Sequence, residues 1–243
     1  MKIKNQFFSV KSFTMYNYIL IVIISSLPFL HWWFQMDLAR ILFHKIFEYS
    51  SIEFRKEDTN VYLTIDDVLQ RSFRRILKTL KIYDVKCTFF LIGSTVTESN
   101  RKFIVQAIKD GHHFANHGMT NTPHWILNKN ELAFEIEECQ NIIDELYKLA
   151  KKPSPKIKYY RPGSGFVNNT IYNYSKTNNY QIVLGDVYPI DPRFGMSNLY
   201  SHFIQKKMSP GSIIILHDRW WTPKTLRLTL PKILQKYKIV PLN

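Results

Sequence analysis

The run Val61-Tyr62-Leu63-Thr64-Ile65-Asp66-Asp67 decides how the rest of the chain is read. Its first five residues are β-branched, aromatic or aliphatic, the composition of a strand buried on both faces of an α/β sheet. Two adjacent carboxylates end the run abruptly, at the end of the strand where α/β folds place their chemistry. Neighbouring side chains diverge on an extended backbone, so the two acids face different tasks. One is suited to hold a metal and the other to work as a base. The plainer reading makes the pair a helix N-cap with an acidic first turn, since a helical pattern follows.

Toward the carboxyl end the periodicity alternates. Residues 72–83 carry apolar side chains at 73, 76, 77 and 80, a helical stripe. Residues 85–92 form a second apolar run stopped by Gly93, and 100–110 a helical segment ended by Gly111, which suits a left-handed cap. Short strands follow at 112–115, 158–160, 181–184, 212–216 and 239–242, with helices at 131–150, 170–178, 199–208 and 226–237. Such alternation predicts an α/β domain with a parallel sheet or barrel. Polar residues recur at the strand ends: Asp66-Asp67, Asn116-His117, Arg161, Asp191 and His217-Asp218. A barrel gathers those ends on one face, so the five together weigh more than any one alone.

Toward the amino end, Lys2, Lys4 and Lys11 precede an apolar run at 18–34 that contains Pro28 and His31 and ends in Trp32-Trp33-Phe34. It sits at the short end for a spanning helix and reads as a signal anchor, with a cleaved signal peptide as the competing reading. The lysines favour a cytosolic amino terminus, which places the domain across the membrane, anchored or secreted. Residues 35–60 read as a partly helical connector, so the chain divides into an anchor and connector at 1–57 and a domain at 58–243. Hydrophobic residues make up 45% of the 243, enough for a packed core. The net charge is +14, but no dense basic run or aromatic-interleaved patch accompanies it, and no nucleic-acid partner is expected. Cys87 and Cys139, one in a strand and one in a helix, make neither a disulfide framework nor a thiolate zinc site.

The order of motifs resembles the polysaccharide deacetylases, metal-dependent carbohydrate esterases that include chitin and peptidoglycan deacetylases. T-I-D-D at 64–67 resembles that family's T-F-D-D, and N-H-G-M-T-N at 116–121 its metal-histidine motif. R-P-G-S-G at 161–165 resembles R-P-P-Y-G, V-Y-P-I-D at 187–191 resembles V-D-P-x-D, and G-S-I-I-I-L-H-D at 211–218 the closing G-x-I-x-L-x-H-D. The resemblance runs from about residue 60 to the end. It implies a distorted (β/α) barrel and hydrolysis of N-acetyl groups on amino sugars of a glycan, with a divalent metal, zinc first, as cofactor. By the same resemblance Asp66 is the general base, Arg161 orients it, His217 is the general acid and Asp191 its partner. Asp67 and His117 are metal ligands, Ser164 supplies a backbone N–H to the oxyanion, and Ile215 lines the pocket for the acetyl methyl.

Two departures bear on activity. Val68 and Leu69 stand where the family has glycine and proline, and a loop needing positive φ would be strained by valine. The family's second metal histidine lies four residues after the first, where this chain has Asn121, and the next histidine is His124. Imidazole is the better zinc donor, which favours His124 delivered by a loop, while position favours Asn121 and a harder ion. A relative that binds glycan without deacetylating it is the alternative function.

Overall fold

The computed structural model describes residues 52–53 and 55–242, so the apolar run at 18–34 and the anchor read from it lie outside the described residues. Among the described residues no helix is long and apolar enough to cross a membrane. The domain corresponds to the second of the two units into which the chain divides, Ser51–Asn243.

Eight strands form one sheet, all paired in parallel: β1 (Ile52–Glu53), β2 (Val61–Val68), β3 (Thr88–Leu91), β4 (His113–Asn116), β5 (Lys158–Tyr160), β6 (Tyr180–Val183), β7 (Ile213–His217) and β8 (Ile239–Val240). They run in the order β1-β6-β5-β4-β3-β2-β7, with β8 against β2. The segment after β6 reaches β7 through a parallel bridge, Val187 to Ile214, and an antiparallel bridge joins Arg55, just after β1, to Ser212, just before β7. Helices α1 (Phe73–Ile82), α2 (Glu98–Lys109), α3 (Lys129–Ala150), α4 (Asn169–Thr177), α5 (Ser197–Lys207) and α6 (Thr222–Ile233) connect the strands.

All eight residues of β2 are buried, as its composition demands. Phe89 of β3 packs between Phe73 of α1 and Phe114 of β4, with ring centroids 5.2 and 5.3 Å away. Each such ring withdrawn from water contributes roughly 1.5–3 kcal/mol. Helix α1 points Phe73, Ile76 and Leu80 at that layer, the stripe expected from their spacing.

Three local readings are corrected. Asp66 and Asp67 do not cap α1: they lie inside β2, and the residue preceding the helix is Ser72. Val68 is not the residue at positive φ; Asp67 is, at φ 58, and the register against β3 shifts between Ile65 and Val68, so that Val68 pairs with Leu91. The last helix begins at Thr222 rather than 226, because Pro223 falls in its first turn, where a missing N–H costs nothing.

The sheet also begins inside the stretch read as connector. Ile52 and Glu53 pair with Ile182 and Val183, and the Lys56 N–H donates to the Gly211 carbonyl at 2.9 Å. Gly211 sits at φ 80, and a Cβ there would lie 1.9 Å from the Lys56 carbonyl oxygen, so only glycine admits this contact. A chain beginning at residue 60 loses these bonds and the burial of Ile52. Its urea-unfolding free energy is expected to fall by about 2–4 kcal/mol relative to a chain beginning at 51. Equal midpoints would show that β1 is dispensable.

Candidate active site

The register of β2 against β7 sets Asp66 beside His217, and the Asp218 N–H donates to the Asp66 carbonyl at 2.9 Å. The ends of β4 and β5 bring in His117 and Arg161, joined by the Arg161 N–H to the Asn116 carbonyl at 3.0 Å. The segment after β6 supplies Asp191.

Asp66 and Arg161 form a buried pair, with Nη1 2.5 Å from Oδ1. The same Nη1 donates to Thr64 Oγ1 at 2.9 Å, Nε donates to the Val183 carbonyl at 2.9 Å, and the guanidinium lies 4.0 Å over the Phe90 ring. These contacts leave the guanidinium one orientation, and its charge keeps the carboxylate lone pairs directed.

Asp191 grips His217 twice. Its Oδ1 is 2.8 Å from Nδ1, and its Oδ2 accepts the His217 backbone N–H at 2.8 Å. A carboxylate only accepts, so Nδ1 carries the hydrogen and Nε2 is the atom left to exchange a proton. Burial works against the charged ring, but Asp191, with Asp66 and Asp67 behind it, outweighs burial and raises the His217 pKa above 6.5.

Asp67 turns the other way. Its Oδ1 lies 3.5 Å from His117 Nε2, and its Oδ2 lies 2.6 Å from Arg219 Nη2. Burial pushes its carboxyl up, but His117, His217 and Arg219 together hold it far below the usual range. His117 Nδ1 is 2.7 Å from the Arg161 carbonyl, which can only accept, so the hydrogen sits on Nδ1 and the Nε2 lone pair faces Asp67. A separation of 3.5 Å is long for a hydrogen bond, whereas two ligands around one tetrahedral divalent ion stand roughly 3.3 Å apart. Asp67 and His117 therefore fit a divalent ion as two ligands.

The expected third ligand is His124, with Asn121 as the alternative. Among the described residues no three His, Cys, Asp or Glu side chains are grouped so as to hold an ion. His124 is buried in a one-turn helix, His124–Ile126. Its Nδ1 accepts the Gly163 N–H at 3.2 Å and lies 2.5 Å from the Tyr160 hydroxyl. That places the ring hydrogen on Nε2, which faces Glu135 Oε2 at 3.6 Å. Burial, then the nearby His117, lowers its pKa to about 4, so the ring is neutral. Glu135 in turn accepts from the Thr120 N–H and hydroxyl at 2.7 and 2.8 Å, and this group holds the 118–124 loop. Asn121 is exposed on that loop.

Ser164 is exposed and adopts φ 66 in the Gly163–Gly165 turn. Gly163 serves close approach instead: a Cβ there would lie 2.2 Å from the Thr122 carbonyl oxygen. Ile215 is buried on β7, two residues before His217 and so on the same face, packed beside Gly185. Two residues of the site escaped the sequence reading. Tyr188 sets its ring 5.7 Å from that of His217, and Arg219 meets Asp67. The signal for Arg219 was its cation directly after His217-Asp218, facing strand ends rich in acid.

Residues 55–183 match the polysaccharide deacetylase family, and the chain belongs to it. It is 27% identical over 205 residues to a peptidoglycan-N-acetylglucosamine deacetylase of Bacillus cereus, covering 80% of this chain and 92% of that one. It is 25% identical to a bifunctional xylanase/deacetylase of Pseudobutyrivibrio xylanivorans, of whose length it spans 28%. Solved structures share the fold. The Bc1960 peptidoglycan N-acetylglucosamine deacetylase has a TM-score of 0.72 at 23% identity, covering 82% of this chain and 94% of that chain. BA3943, a CE4 family pseudoenzyme from Bacillus anthracis, has 0.69 at 22%, covering 79% and 67%.

The Asp191–His217 pair has a stability signature. A raised folded-state pKa gives stabilisation that is full below the ordinary value of 6.5 and lost as pH rises through the folded value. The urea-unfolding advantage of wild type over His217→Gln is therefore expected to shrink as pH rises across that window. A pH-independent difference would mean that the ring gains nothing from its charge.

Proposed function

We propose that the domain hydrolyses N-acetyl groups from amino-sugar residues of a glycan. The observation that carries this reading is the pairing of two opposed proton-handling units across β2 and β7, Asp66 with Arg161 and His217 with Asp191. Asp66, aimed by Arg161, takes the proton of the attacking water. His217 gives a proton from Nε2 to the departing amine, and Asp191 steadies the imidazolium before that transfer. Asp67 and His117 would hold the divalent ion, zinc in this reading, which supplies polarisation of the amide carbonyl and acidification of water when bound. Ser164, in its turn, offers a backbone N–H to the oxyanion, and Ile215 an apolar wall to the acetyl methyl. The similarity to peptidoglycan deacetylases favours a cell-wall type of glycan as substrate. The lysines ahead of the apolar run at 18–34 favour a domain on the far side of a membrane, anchored or secreted.

A second reading, a glycan-binding relative without catalysis, is favoured by the Arg219 contact on Asp67 and by there being, among the described residues, no third His, Cys, Asp or Glu grouped with Asp67 and His117. The two separate on acetate release from N-acetylglucosamine oligomers in the presence of zinc. On the first reading Asp66→Asn and His217→Ala each lower the rate about 100-fold or more while zinc stays bound. Full activity in either variant removes the role assigned to that residue. No acetate from wild type, with oligomer still bound, establishes the second reading.

A further inference from the structure

Asp67 carries one negative charge and has two partners. On one side is His117, whose Nε2 lone pair is placed for an ion. On the other is Arg219, whose Nη2 holds Oδ2 at 2.6 Å. A guanidinium is a permanent cation and gives up no proton to make way for an incoming ion. A divalent ion and a guanidinium held on the same carboxylate repel each other. A divalent ion on Asp67 therefore works against the guanidinium in its present place, each cation weakening the hold of the carboxylate on the other.

The two partners are not equally fixed. Asp67 and His117 are both almost fully buried, with side-chain exposures of 5% and 6%, whereas the Arg219 side chain is 23% exposed. Its other anchors are long bonds to main-chain carbonyls, Nε to Pro192 at 3.3 Å and Nη1 to Asp218 at 3.2 Å. Arg161 contrasts at every point: it is 3% exposed and its Nη1 and Nε bonds are 2.9 Å or shorter. Arg161 belongs to the framework, while Arg219 lies at the surface end of the site with water available to receive it.

We propose that Arg219 is a resident counter-cation that competes with the divalent ion for Asp67, so that ion binding requires the guanidinium to swing out to solvent. The inference rests on the reading that Asp67 and His117 receive an ion. Arg219 is then a positioning residue that sets ion affinity without touching the reacting amide. With Arg219 in place, Asp67 is neutralised and the site is closed; with Arg219 displaced, Asp67 and His117 stand as an open pair.

Zinc binding to the full chain, measured by titration calorimetry, tests this. Arg219→Gln is expected to bind zinc at least about tenfold more tightly than wild type. Arg219→Lys, which keeps a cation, is expected to stay within a few-fold of wild type. Adding Asp67→Asn to Arg219→Gln is expected to abolish the gain. In wild type, phenylglyoxal labelling of Arg219, followed by mass spectrometry, is expected to speed up when zinc is added, a readout that needs no variant. Equal or weaker zinc binding by a folded Arg219→Gln overturns the proposal, because Arg219 would then support Asp67 rather than compete for it. So does a gain that survives Asp67→Asn, or labelling that zinc leaves unchanged. Zinc binding by wild type without a gain in the variant defeats competition alone, whereas binding by neither defeats the metal-dependent reading as well.

Discussion

Two adjacent carboxylates buried at the end of one strand set the terms for everything around them. Asp66 and Asp67 are 3% and 4% exposed, and an ionised carboxylate so far from water must be met by a cation or by donors. Asp66 is met by Arg161, which must then be buried too, and a buried guanidinium makes its own demands. Its side chain meets them on β2, β3 and β6, through Asp66 and Thr64, the Phe90 ring and the Val183 carbonyl, while the Arg161 main-chain N–H, just after β5, donates to the Asn116 carbonyl of β4. One ion pair thus ties the order of half the sheet to the geometry of the site. Breaking one partner of such a pair typically costs about 3–5 kcal/mol, because the other charge is left buried and alone.

Asp67 faces away from its neighbour and needs a separate solution. Its backbone sits at φ 58, a conformation aspartate tolerates better than most residues, and this turns the carboxylate toward His117 and Arg219. His117 reaches it with a tautomer fixed by the Arg161 carbonyl, so the same arginine that balances Asp66 through its side chain aims His117 through its main chain. The Asp66 half and the Asp67–His117 half of the site are in this way built around one residue.

Most of the sheet could be read from the sequence because burial leaves a periodic trace. Apolar runs at 85–92, 158–160 and 212–216 and the helical stripe at 72–83 coincide with elements whose inward faces are buried. What the sequence hid depends on contacts between distant segments. Two residues of β1 carry no periodicity, and only their pairing with β6 makes them a strand. Asp66, His117, Arg161, Asp191 and His217 were visible as polar residues breaking off at strand ends, and the sheet gathers them. The place of His124 was not visible, because its tautomer follows from Gly163 and Tyr160, which lie about forty positions further along the chain. Nor does a sequence disclose which of several nearby cations a carboxylate takes, as Arg219 on Asp67 illustrates.

The two halves of the site differ in how firmly they are built, and this bears on how activity varies within the fold. Both proton-handling pairs are anchored to backbone: Asp191 holds the His217 N–H as well as its ring, and Arg161 holds the carbonyl of Val183 as well as Asp66. Altering either disturbs the sheet. Asp67, by contrast, is met by one long, partly exposed side chain, Arg219, held through a single carboxylate oxygen and two long main-chain contacts. A change there alters the charge balance of Asp67 while the strands beneath it keep their packing. In such an architecture, the charge around Asp67 can change at one partly exposed position, with the Asp66–Arg161 and His217–Asp191 pairs left standing.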